Sequence, residues 1–196
     1  MGRIAILLVF AALAAPQSAD YASCQRKFNM IRSERAGPGS RVAISARELN
    51  AYVLATVPKV APDGVRNPHL RLGRNRAVGT ALIDFAKLRR SQGQPLNWML
   101  ENLLAGERPV TVEARIVSGD GVARVDLERV QIGGLELSGD TLDWVIRHFL
   151  WEYYPDAKVG KPFELDHGMD RFEIRPETVT VVMANRPSGW RRAAPE

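Results

Sequence analysis

Asp166, His167 and Asp170 fall within one short stretch, Asp166-His-Gly-Met-Asp170. Two carboxylates beside an imidazole can move a proton or hold a cation. The same residue types are also ordinary turn formers, and the weight lies with the turn. His148 and Glu152 are one helical turn apart, the spacing of a helix-face pair rather than of a ligand set. Neither they nor His69 and His167 fit a His-Glu-x-x-His or other zinc spacing. There is no Gly-x-Ser-x-Gly elbow, no phosphate-cradling Walker loop and no dinucleotide fingerprint. Cys24 is the single cysteine, so no intramolecular disulfide can form. It lies in a polar stretch near the N-terminus, a poor place for a nucleophile. These residues predict no catalytic site, no metal and no cofactor.

The residues that stand out are instead apolar and aromatic. In Leu142–Tyr154, positions Leu142, Val145, Ile146, Phe149, Leu150 and Tyr153 form one helical stripe. Trp144, His148 and Trp151 form a second stripe on roughly the opposite side. A helix apolar on nearly all sides must be wrapped, by more protein or by an apolar ligand. Core is the usual fate of aromatics at helical spacing, but a pocket between helix and sheet would also bury them. The expected apolar lining is Trp144, Val145, His148, Phe149, Trp151, Trp98 and Leu100.

The chain has 196 residues, 45% hydrophobic, and a net charge of +5. It can bury a core and is not a disordered chain. The basic residues are mostly arginine, grouped between Arg66 and Arg76, at Arg89-Arg90, and at Arg186, Arg191 and Arg192. The plain reading is a solvated basic face, and the sharper one is attraction to an anionic membrane surface. Arg71, Arg74 and Arg76 are the candidates for steadying an anionic head group. Nucleic acid is not expected, because the chain carries an export signal.

That signal is Met1-Gly-Arg3, then the apolar run Ile4–Ala15, then small residues with Ala12-Leu13-Ala14 and Gln17-Ser18-Ala19 as candidate cleavage sites. The run is too short to span a bilayer comfortably. Tyr21-Ala-Ser-Cys24 is a poor lipobox, with tyrosine where a leucine-like residue belongs, so a lipid anchor at Cys24 is not favoured. Residues 1–19 are read as a signal peptide, 20–43 as a flexible leader, 44–184 as one domain and 185–196 as a disordered tail. The protein is expected to be exported, periplasmic or secreted.

Within the domain, Ser45-Ala-Arg-Glu48 is a capping box flanked by Ile44 and Leu49, opening a helix that Pro58 ends. Pro62-Asp-Gly64 turns the chain. Leu70 and Leu72, and then 77–85, alternate as strands, with small Ala77, Gly79 and Ala81 on one face. Leu96–Leu104 is an amphipathic helix carrying Trp98, either a packing helix or a lid or membrane-touching element. Val110–Ile116 and Ala123–Ile132 alternate around Ser118-Gly-Asp-Gly121, a hairpin. The phase slips near Glu128-Arg129, which predicts a bulge. Each arm is about ten residues, or roughly 33 Å. Gly133-Gly134 turns, Leu135 and Leu137 form a short strand, and Asp140 caps the Leu142–Tyr154 helix. Lys158–Leu165 and Arg171–Met183 are read as two final strands.

This order, with the run Glu48-Leu-Asn-Ala-Tyr52 and a hairpin followed by a helix, resembles the small bacterial envelope proteins of the tubular lipid-binding (TULIP, BPI-like) superfamily. The YceB-like lipoproteins are nearest, and the LmeA-like phospholipid-binding proteins are looser relatives. The resemblance implies a long, curved sheet around a helix, with lipid in the apolar space and no catalytic residues. The fold expected is therefore α+β, a long curved antiparallel sheet wrapped around a C-terminal-half helix, with an N-terminal helix and a short amphipathic helix between strands. The expected function is non-enzymatic binding of a lipid or other apolar small molecule. The alternative is an envelope adaptor with a filled core, docking partners through the Leu96–Leu104 helix.

Overall fold

A computed structural model describes residues 18–60, 64–87, 106–146 and 159–185. It is an α+β structure built on antiparallel sheet, as the alternating patterns predict. The elements, in chain order, are α1 (Ala19–Arg32), β1 (Arg41–Ser45), α2 (Ala46–Val60), β2 (Val65–Gly73), β3 (Arg76–Asp84), β4 (Glu107–Gly119), β5 (Val122–Ile132), β6 (Leu135–Ser138), α3 (Gly139–Val145), β7 (Phe163–Glu164), β8 (Met169–Arg175) and β9 (Thr178–Met183). The strands make two sheets. One runs β2-β3-β4-β5-β6, with β7 also on β5, and does not close. The other is β1-β9-β8.

The capping box forms as its sequence requires. Glu48 N–H donates to Ser45 Oγ at 3.2 Å and Ser45 N–H donates to Glu48 Oε2 at 2.7 Å. Ile44 is buried and Leu49 packs on the same cluster. The helix does not stop at Pro58 but runs on to Val60. The missing proline N–H would have bonded the Leu54 carbonyl, and Leu54 is exposed, so water can take that carbonyl.

Residues 20–43 are not a featureless leader. Ser18 caps α1, its hydroxyl accepting from Tyr21 N–H at 3.2 Å. Tyr21, Cys24 and Ile31 are buried. Cys24, Ile31, Val42, Ile44, Val181 and Met183 form a core cluster between α1, α2 and the three-stranded sheet. Tyr52 of α2 stacks on Tyr21, with centroids 5.8 Å apart, and meets Phe28 edge-on at 4.8 Å. Polarity on the outer side of α1 hid this stripe of three- and four-residue spacing. β1 was missed with it, though Val42 and Ile44 alternate with exposed Arg41 and Ala43.

The long hairpin turns at Asp120 and Gly121, both with positive φ (52° and 73°), the pair a primed turn needs. The predicted bulge is present. Glu113 faces Arg129 and Ala114 faces Leu127, which leaves Glu128 as the extra residue on β5.

Three further boundaries differ from expectation. Arg171–Met183 is a hairpin of two strands, because Pro176 and Glu177 (φ 67°) turn the chain between β8 and β9. Of the expected strand Lys158–Leu165, the described residues from Val159 on pair through Phe163 and Glu164 and one bridge at Val159, with Gly160 (φ 73°) and Pro162 interrupting it. α3 begins at Gly139, behind an extended Ser138 that makes no side-chain cap, so Asp140 stands in the first turn rather than at the cap. A carboxylate there still suits the positive end of the helix. Leu142 and Ile146, two residues of the predicted stripe, are buried.

Candidate functional site

The register of the large sheet puts most of its apolar side chains on one face, with Val78 and Leu82 on the other. Leu70, Gly79, Val112, Val130 and Leu137 share one row across five strands. Leu72, Ala77, Ala114 and Leu127 make the next, and Ala81, Val110, Ile132 and Leu135 the row on the other side. The opposite face carries Arg71, Thr80, Glu113, Arg115, Arg129 and Gln131. A sheet with one apolar face must lay it against something.

Among the described residues that face is only partly covered. α2 packs along β2, and α3 packs against β5 and β6. Neither lies extensively on β3 or β4, between them. Val110 and Ala123 are buried, but Ala77, Ala81, Val112, Ala114, Leu127 and Val130 are half-buried. Ala77, Gly79, Ala81 and Ala114 give this part of the face a low floor. Among the described residues, a Cβ at Gly79 would meet nothing closer than Leu70 Cδ2 at 3.7 Å.

α2 also protects the outer edge of the sheet. Leu70 N–H donates to Asn50 Oδ1 at 2.7 Å, and Asn50 Nδ2 donates to Leu70 O at 2.9 Å. One side-chain amide thus satisfies the outward backbone groups of an edge strand.

A second feature lies where the two sheets meet. The outer edge of β8 faces the β2–β3 turn and the end of β4. Phe172 N–H donates to Ser118 Oγ at 2.8 Å, and that hydroxyl donates to Phe172 O at 3.1 Å. Asn75 N–H donates to Ile174 O at 3.1 Å, and Ile116 N–H donates to Asn75 O at 2.9 Å. An open groove of about 500 Å³ follows this seam, lined in part by Arg74, Asn75, Arg171, Glu173 and Arg175. Glu173 takes hydrogen bonds from Arg41 and Arg171. The bond from Arg41 holds its carboxyl below the usual carboxylate range, so it stays ionised.

The sequence-predicted residues divide as follows. Trp98, Leu100, His148, Phe149 and Trp151 lie outside the described residues, as do the Leu96–Leu104 helix and most of 185–196. The backbones of Trp144 and Val145 belong to α3, and their side chains lie outside the described set. Arg71, Arg74 and Arg76 do not converge. Arg71 is exposed on the polar face, Arg76 pairs with Glu128 at the bulge, and only Arg74 reaches the groove. Asp166 and His167 are exposed in a turn where His167 has φ 56°, and Asp170 pairs with Arg171 at 2.6 Å. The stretch is a turn rather than a converging site. Among the described residues no three His, Cys, Asp or Glu side chains come together as metal ligands. None of the described helices is long and apolar enough to cross a membrane.

Arg171 and Arg175 were not anticipated. Their alternation with Phe172 and Ile174 was visible as a strand, but their nearness to Arg74 depends on a contact across about a hundred residues. Cys24 is fully buried, and burial with the Glu48 charge beside it pushes the thiol up to about 11 against a weaker pull from Lys27. A lipid on that sulfur would require α1 to leave the core. No protein-family model matches the chain, and no curated protein is significantly similar to it in sequence.

Proposed function

We propose that this is an exported, non-enzymatic protein that holds a lipid or similar apolar molecule against the apolar face of its large sheet. The observation that carries the proposal is the low, half-buried strip of Ala77, Gly79, Ala81, Val112 and Ala114 between the ground taken by α2 and α3. The signal-like N-terminus and the order of elements that resembles the tubular lipid-binding proteins support it. Binding would be driven by burial, at about 0.8 kcal/mol per methylene. An acyl chain of about ten methylenes would therefore gain roughly 8 kcal/mol before ordering costs, enough for retention.

Titration with a fluorescent fatty acid is the direct test. Saturable binding to the purified protein, competed by an unlabelled long-chain lipid, is expected. Ala81→Trp fills the floor of the strip without adding charge and should weaken binding about tenfold, the loss of one or two buried methylenes' worth of contact. Absence of saturable binding, or binding indifferent to Ala81→Trp in a folded protein, would exclude the site.

A further inference from the structure

We propose that the groove between β8 and the β2–β3 turn is a binding site for an oxyanion, a phosphate or carboxylate group, recognised by Arg74 and Arg175. The site stands on different residues from the apolar strip and does not depend on an apolar ligand being held there.

Among the described residues, three guanidinium groups line this groove against one carboxylate, Glu173. That carboxylate is committed to Arg41 and Arg171, and Asp170 takes a further donor of Arg171 at 2.6 Å. Arg171 is therefore largely satisfied. Arg175 reaches Glu173 only at 3.9 Å and its side chain is 77% exposed. Among the described residues no carboxylate pairs with Arg74. Two forks with free donors thus flank the groove, and each matches the geometry of a phosphate or carboxylate edge.

The backbone beneath them is fixed before any ligand arrives. Arg74 belongs to a two-residue turn whose second member, Asn75, has φ 54° and is tied to both β8 and β4 by the hydrogen bonds at 3.1 and 2.9 Å. Arg175 is the last residue of β8, immediately before the Pro176-Glu177 turn. Both arginines project from pinned turns rather than from long loops, so little backbone entropy is lost on binding. Glu173 then repels a wrongly placed anion and leaves the two outer forks as the point of capture.

The ligand chemistry could come from a free phosphate group or from a phospholipid head group, and the test separates them. Full-length mature protein is titrated calorimetrically with inorganic phosphate, and separately mixed with vesicles of phosphatidylglycerol in phosphatidylcholine and of phosphatidylcholine alone. Phosphate binding lost about tenfold or more in R74Q/R175Q, and unchanged in R71Q, supports the site with a soluble anion as its ligand. Binding confined to the phosphatidylglycerol vesicles, with the same pattern of variants, supports it with a head group as its ligand. R71Q removes an equal charge from an exposed position outside the groove and so controls for net charge. Should the double variant fail to fold, R74Q alone carries the test with a loss of about fivefold, since that side chain pairs with no described carboxylate. No saturable binding of either probe, or an equal loss in R71Q, would overturn the proposal.

Discussion

Glu48 ties α1 to the start of α2. It closes the capping box of α2 and accepts from Ser23 Oγ at 2.5 Å and from Lys27 Nζ at 2.7 Å, both on α1. Burial pushes its carboxyl up, but the Lys27, Ser23 and Ser45 hydrogen bonds outweigh that and hold it at about 2 instead of 4.5. A carboxyl depressed on folding stabilises the protein above its unfolded value, and that stability is lost as pH falls through the folded one. The unfolding free energy from urea titrations should therefore drop between pH 4.5 and 2, by about 2 kcal/mol attributable to this group, and Glu48→Gln should flatten that part of the curve. An unchanged slope in Glu48→Gln would mean that α1 is not held by this charge. Cys24 should resist thiol reagents at pH 8 in the native protein and react fully in urea. Fast labelling of the folded protein would show α1 detached from the core.

The elements were partly legible in the sequence. The capping box, the primed turn at Asp120-Gly121 and the bulge at Glu128 rest on local chemistry, so short stretches revealed them. β1 and α1 did not, because their apolar positions are few and are completed by Tyr52 of α2 and by Val181 and Met183, far along the chain. The groove was legible only at Arg74, since its other residues meet it through tertiary pairing. Ser118 shows what a single contact between elements can hold. Its hydroxyl serves both outward groups of Phe172, so Ser118→Ala leaves a half-buried N–H and C=O without that partner at the seam between sheets. That substitution should cost about 1 kcal/mol, read as a lower melting temperature, and should speed hydrogen exchange at Phe172. Ser118→Thr keeps the hydroxyl and should restore most of the loss. Equal stability of Ser118→Ala and the parent would mean that the two sheets are joined elsewhere.

For the molecule as a whole, two sheets share α2. The smaller one, with α1, encloses the aromatic and aliphatic core around Tyr52 and Ile44. The larger one presents an apolar face that the described helices cover at its sides more than along its middle. Such a face is costly to leave wet, and its low floor of alanines and glycine is where we propose that an elongated apolar guest lies. Native mass spectrometry of the mature protein, produced with its own N-terminal segment, followed by organic extraction, tests this most directly. A co-purifying lipid at one per chain, lost in Ala81→Trp while the fold is kept, is the predicted result. A bare protein mass that stays bare after incubation with envelope lipids would contradict it and point to a face closed by protein alone.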